Sequence, residues 1–248
     1  MLSDAELETG RVRLLADLVV GAALANAGKG ERGMRDGSMA AADLARRLDT
    51  AEAEARIRAK EWLNTDRPED AFERNPLHWP LAFPEAFENG GFDAVIGNPP
   101  FLGGKKISGS TGPAYREYLV ENTAKGVKGN ADLVSYFALT CHAIANGNGQ
   151  VGIIATNTLA QSDTREVGLD QLEQSGIFIR KAISSKPWPA RSASLQFCAI
   201  WTSKEALHPE SRKILNGEIV HKISPLSASR RDLREQPRIW TRTKILAL

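Results

Sequence analysis

The chain has little of what usually signals a metal or disulfide protein. Two cysteines, Cys141 and Cys198, lie far apart in apolar stretches of a 248-residue sequence, which predicts reduced core thiols and excludes a disulfide framework. Four histidines, at 78, 142, 208 and 221, show no ligand spacing, so no structural metal is expected. No uninterrupted apolar run is long enough to cross a bilayer, and the start, Met1-Leu2-Ser3-Asp4-Ala5-Glu6, lacks the basic-then-apolar layout of a signal peptide. A cytoplasmic protein is therefore expected. Charge of either sign is balanced: the formal net charge is +2, which permits nucleic-acid binding without demanding it. With 42% hydrophobic and 25% charged residues, the composition is that of a globular protein with a core.

One stretch carries the chemistry. Phe92-Asp93-Ala94-Val95-Ile96-Gly97 is an apolar run that breaks at once into Asn98-Pro99-Pro100-Phe101. It reads as a short buried strand stopped by two prolines, which lack the amide a ladder needs. The residue before a proline is held extended, so Asn98 and Pro99 are stiff. The carboxyl end of a strand in an open α/β sheet is where ligands bind. There the Asn98 side-chain oxygen and a neighbouring proline carbonyl form two fixed acceptors, suited to an amine with two hydrogens. Accepting both hydrogens of adenine's exocyclic nitrogen frees its lone pair for attack, which stabilises a transition state with no metal and no strong base.

The chain around this stretch predicts an α/β fold. Residues 4–27 read as a helix with a broad apolar stripe. Gly28-Lys29-Gly30-Glu31-Arg32-Gly33 matches the dinucleotide-binding spacing G-x-G-x-x-G, but a helix precedes it and further loop residues, Met34 to Gly37, follow. That fingerprint needs a strand before it and a helix directly after, so an interhelical loop is expected. Ser38 is then placed to cap a second helix over about 39–64, whose many arginines read as a solvated face. Residues 65–91 alternate prolines with aromatics and read as a segment packed over the sheet edge. After Phe101, the glycines and serines up to Gly112 predict a mobile loop. Its Lys105 and Lys106 either meet phosphates or simply keep the loop solvated. A helix is expected over 132–145, a strand over 150–156, a polar helix over about 163–174, and strands over 177–184 and 195–202. The last two are close enough to pair antiparallel near the sheet's edge. Beyond Ser203 the signal fades into a basic tail.

These motifs together resemble the amino (adenine-N6) DNA methyltransferases of bacterial restriction–modification and phage-defence systems, closest to the branch in which modification is fused to restriction. The family's tetrad, (Asn/Asp/Ser)-Pro-Pro-(Tyr/Phe/Trp), is met by Asn98-Pro99-Pro100-Phe101. In family order there follow Asn130 to Phe137, resembling the opening of the next helix, and Gly149 to Asn157, resembling the next strand and its polar end. Trp188-Pro189 before Arg191 resembles the loop whose aromatic ring packs on the flipped base. The resemblance implies a partial Rossmann-like sheet with flanking helices and transfer of a methyl group from S-adenosylmethionine to a flipped adenine in DNA. It also implies Asn98, Pro99, Pro100 and Phe101 as catalytic and Trp188 as substrate-binding, to which the loop reading adds Lys105 and Lys106 as substrate-binding residues; for Trp188, packing in a core or loop is the alternative. The family's cofactor loop, an aromatic-x-Gly-x-Gly segment on an earlier strand, has no counterpart here. The expectation is a partial chain whose cofactor-binding half is absent, with a missing segment or another chain completing the sheet. Its regions would be a helical segment (1–75), a catalytic half (76–203) and a basic tail or the start of a DNA-recognition region (204–248). The other reading is a non-catalytic remnant or subunit that binds DNA or a partner.

Overall fold

The computed structural model describes residues 4–187, 196–204 and 212–225. The chain opens with three helices, α1 (Asp4–Asn26), α2 (Gly30–Arg46) and α3 (Leu48–Leu63). Leu14, Leu18 and Ala22 of α1 are buried against Ala41 and Leu44 of α2 and Ala55 and Ala59 of α3. Small residues let these helices approach closely. A Cβ on Gly37 would lie 2.3 Å from the Asn26 carboxamide, and one on Gly21 would lie 3.0 Å from Trp62 Cβ. This corrects the expected loop: Gly30 to Gly37 are helical, and the helix starts at Gly30 instead of after Ser38. The Ser38 hydroxyl donates to the Met34 carbonyl 2.8 Å away, so it caps nothing. The expected single helix over 39–64 is two, with a break at Arg47.

Two short helices, α4 (Trp79–Ala82) and α5 (Pro84–Glu88), occupy the proline-rich stretch. Trp79, Phe83 and Phe87 each place a ring 5.4–5.7 Å from Phe92, edge to face, so this aromatic group anchors the start of β1 (Phe92–Gly97). Beyond the tetrad come α6 (Gly104–Thr111), α7 (Pro113–Tyr118), a π-helical turn (Leu119–Thr123) and α8 (Leu133–Ile144). Strand β2 (Ala145–Thr156) follows. A 3₁₀ turn, α9 (Ser162–Arg165), a second π-helical turn (Glu166–Asp170) and α10 (Gln171–Gln174) then lead to β3 (Ile177–Pro187) and β4 (Gln196–Lys204). The expected polar helix over 163–174 is thus broken into short pieces. Strands β5 (Lys213–Leu215) and β6 (Glu218–Val220) continue the same sheet past Ser203.

The sheet is mixed, in the order β1-β2-β4-β3-β5-β6. Strand β1 runs parallel to β2, as a strand–helix–strand crossover requires, and β4 runs antiparallel to both β2 and β3. Of the expected pair, the antiparallel strand β4 lies inside the sheet, and a second antiparallel strand, β6, lies at its edge. Val151, Ile153 and Ala155 of β2 and Cys198 and Ile200 of β4 point to one face. There they are buried with Val134 and Ala138 of α8 and with Leu159, Leu169 and Leu172. On the opposite face Trp201 lies over Gly152, where a Cβ would come within 2.7 Å of its ring. This is the α/β, partial Rossmann-like arrangement that the resemblance implied.

One expectation about β1 is corrected. It is the outer strand, paired on one side only among the described residues, and Ile96 is 74% exposed. The alternation in its sequence is that of a strand with apolar residues on both faces, but nothing described covers its free edge.

Candidate active site at the end of the first strand

Strand β1 ends at Gly97, and the next four residues leave its carboxyl end as coil. Pro99 is buried and fixes the turn. Asn98 and Pro100 are exposed, and the Phe101 ring is 42% exposed. The Asn98 carboxamide makes no hydrogen bond to another described residue, so its acceptor and donors face outward. A rigid turn thus presents an unpaired carboxamide, proline carbonyls and an open ring at one point.

The segment leaving the tetrad is held hard. The Leu102 carbonyl accepts from the Leu133 amide at 2.9 Å, and the Leu102 amide donates to Asp132 Oδ1 at 3.3 Å. Asp132 caps α8, its Oδ1 also accepting from the Val134 amide at 3.1 Å. Lys105 and Lys106 lie in the first turn of α6, both exposed. Here the structure corrects the sequence reading: the expected mobile loop is a helix, docked through buried Gly104 and Ile107. The lysines are therefore carried on a fixed element next to the tetrad. Trp188 lies outside the described residues.

Beside Pro100 opens a cavity of about 960 Å³ between the N-terminal helices and α6–α8. Its floor includes Pro100 and the ring of Phe137, which is 39% exposed, with Tyr115 and Tyr118 stacked nearby at 6.5 Å between centroids. Burial raises both tyrosine pKa values above the ordinary phenol, so both stay neutral. The far wall carries Phe72, 96% exposed. Arg74 closes one end, donating to the Leu63 and Thr65 carbonyls at 2.7 and 2.8 Å and to the Thr111 carbonyl, with its guanidinium over the Tyr115 ring. Tyr136 and Phe137 are neighbours on α8. The structure separates them, with Tyr136 2% exposed and Phe137 open to the cavity. Neighbouring positions on a helix lie about 100° apart, and here Tyr136 takes the buried side together with Leu133, Val134 and Ser135.

The glycine cluster does not join this site. The Gly28 amide donates to Glu121 Oε1 at 3.1 Å, so the group a phosphate would need already faces a carboxylate. Both flanking segments are helical. Among the described residues no group of three or more His, Cys, Asp or Glu side chains is placed to hold a metal ion.

Among solved structures, the type IIL restriction–modification enzyme MmeI in complex with DNA matches with a TM-score of 0.43 and 20% identity, covering 68% of this chain and 25% of that one. The chain thus spans about a quarter of that relative's length. No curated protein sequence matches. The model of the Eco57I restriction-modification methylases matches residues 9–177, more than half of the chain and the whole tetrad region. The chain belongs to the Eco57I restriction-modification methylase family.

Proposed function

We propose that this chain provides the catalytic half of a DNA adenine-N6 methyltransferase using S-adenosylmethionine. One observation carries the reading: the Asn98 carboxamide and Phe101 ring, both open, stand at the end of a parallel strand beside a cavity large enough for a nucleoside-sized ligand. An adenine in duplex DNA is reached only after it leaves the stack. The extruded base lies against Phe101, with Trp188 on its other face. Asn98 Oδ1 and the Pro99 carbonyl accept the two N6 hydrogens and turn the nitrogen lone pair outward. After methyl transfer the nitrogen loses one proton to solvent. Lys105 and Lys106, fixed on α6, face the phosphates that flank the extruded nucleotide. The substrate is DNA, and the site of action the cytoplasm.

This reading places the methyl donor in the cavity behind Pro100. Its floor has an aromatic ring, Phe137, for an adenine, and its wall has the hydroxyls of Ser110, Thr111 and Thr140 and the carboxylate of Asp70 for a ribose and an amine. S-adenosylmethionine, when bound, supplies an electrophilic methyl group on sulfur. The free edge of β1 takes a further strand, from another segment or another chain, which completes the cofactor's side of the site and removes the edge from solvent.

The second reading, a DNA- or partner-binding subunit without activity, is favoured by that same uncovered edge. Calorimetric titration of S-adenosylmethionine into the chain separates the two. Saturable heat that disappears in Phe137→Ala supports the catalytic reading. No heat, in a chain that binds DNA and keeps its fold, supports the second reading and a missing cofactor half.

A further inference from the structure

The tetrad's exit is pinned by the residue that caps α8. We infer that Asp132 is a positioning residue for the Asn98–Phe101 turn, holding Phe101 at the angle that a stacked base needs. The inference rests on the methyltransferase reading for its catalytic consequence and on geometry alone for the pin. Asp132 is 6% exposed, and its Oδ1 accepts two amides from separate segments: Val134 at 3.1 Å within α8, and Leu102 at 3.3 Å, thirty residues earlier and next to Phe101. The Leu102 carbonyl accepts from Leu133 at 2.9 Å. Both backbone groups of the residue following Phe101 are thereby tied to the first turn of α8, as in a one-residue ladder.

Asp132 is itself held. Its amide donates to Thr164 Oγ1 at 3.0 Å, and the neighbouring Asn130 amide donates to Asp163 Oδ2 at 2.6 Å. The Ser135 hydroxyl donates to its carbonyl at 2.8 Å. On the other side the chain has no room to retreat, because a Cβ on Gly104 would lie 2.3 Å from the Asn130 carbonyl carbon. A cap requires only the bond to Val134, and a serine supplies it. The bond to Leu102 requires the longer carboxyl reach. The two roles therefore separate by substitution.

The test uses Asp132→Asn, which keeps the acceptor oxygen, and Asp132→Ser, which keeps the cap and loses the reach. Gly104→Ala disturbs the same contact from the opposite side. Hydrogen exchange read by mass spectrometry over residues 99–106 needs no substrate. Asp132→Ser and Gly104→Ala are expected to speed exchange at Leu102 at least tenfold while α8 stays protected, and Asp132→Asn to match the wild type. In methyl transfer, Asp132→Ser is expected to lower kcat by about 10- to 100-fold with the KM for DNA unchanged, the scale set by ångström misplacement of a reacting group. Asp132→Asn restores it. Unchanged exchange at Leu102 in Asp132→Ser, or a loss confined to the first turn of α8, overturns the inference. Because the exchange experiment involves no methyl transfer, it decides the pin even where the methyltransferase reading fails.

Discussion

His142 offers a perturbation whose size follows from its surroundings. It lies in the last turn of α8 with Nε2 2.8 Å from Thr202 Oγ1. The Thr202 hydroxyl spends its hydrogen on the Val151 carbonyl at 3.1 Å, so His142 is the donor, through Nε2. Burial, with repulsion from Lys204 added, pushes its pKa from 6.5 down to about 4. The sign follows. Above pH 6.5 the folded and unfolded chains are both neutral here and nothing changes. As pH falls below 6.5 the unfolded chain takes up a proton that the folded chain refuses, and stability drops until pH reaches about 4. At about 1.4 kcal/mol per unit, the full loss is about 3 kcal/mol, and about 2 of it is reached by pH 5. Urea unfolding at pH 7.5 and pH 5 measures it. Gln at this position keeps a donor for Thr202 and does not titrate. His142→Gln is therefore expected to lose about 2 kcal/mol less than the wild type over that interval. Equal losses in the two chains would refute the assignment of a neutral, buried imidazole.

Other substitutions test the packing and the walls of the cavity. Gly152→Ala places a methyl group within 2.7 Å of the Trp201 ring and is expected to cost about 1–3 kcal/mol by overpacking, read as a lower thermal midpoint. Arg74→Lys keeps the charge but not a fork that spans the Leu63, Thr65 and Thr111 carbonyls. A loss of about 1–3 kcal/mol is expected from stranded acceptors, measured by urea unfolding. Leu159→Ala, at a site 0% exposed, is expected to cost about 2–5 kcal/mol; a smaller loss would mean that the core over β2 can collapse.

Where the sequence was legible, local chemistry and tertiary context agreed. The strand ending at Gly97, the helix over 132–145 and the strand after it all follow from apolar patterning and from proline and glycine stops. Helix α6 was not legible. Gly104-Lys105-Lys106-Ile107-Ser108-Gly109 has poor helix propensity, and it is helical because Ile107 is buried and Gly104 fits against the Asn130 carbonyl. Helix α2 likewise holds Gly37 where it packs against Asn26 and Ala22 of α1, while Gly30 and Gly33 at its start meet no other helix. Strand β1 reads as buried because a two-sided apolar pattern does not reveal whether a neighbour is present. The β5–β6 hairpin had a signal that the basic count of the tail obscured. Asn216-Gly217 sits between Ile214 and Ile219 with both turn residues at positive φ, 51° and 90°, the geometry that Asn-Gly favours. Asn216 then ties the hairpin to β3 through the Ser184 amide and hydroxyl, both at 2.8 Å.

The central claim is that Asn98 and Phe101 form one wall of an adenine pocket. Its most direct test is made in the native host with the gene in place, by mass spectrometry of nucleosides from total DNA and by mapping of methylated sites. The account predicts N6-methyladenine at a defined sequence that is lost in Asn98→Ala and kept in Phe101→Tyr. Methylation that persists in Asn98→Ala, with the protein present at its normal level, would contradict it.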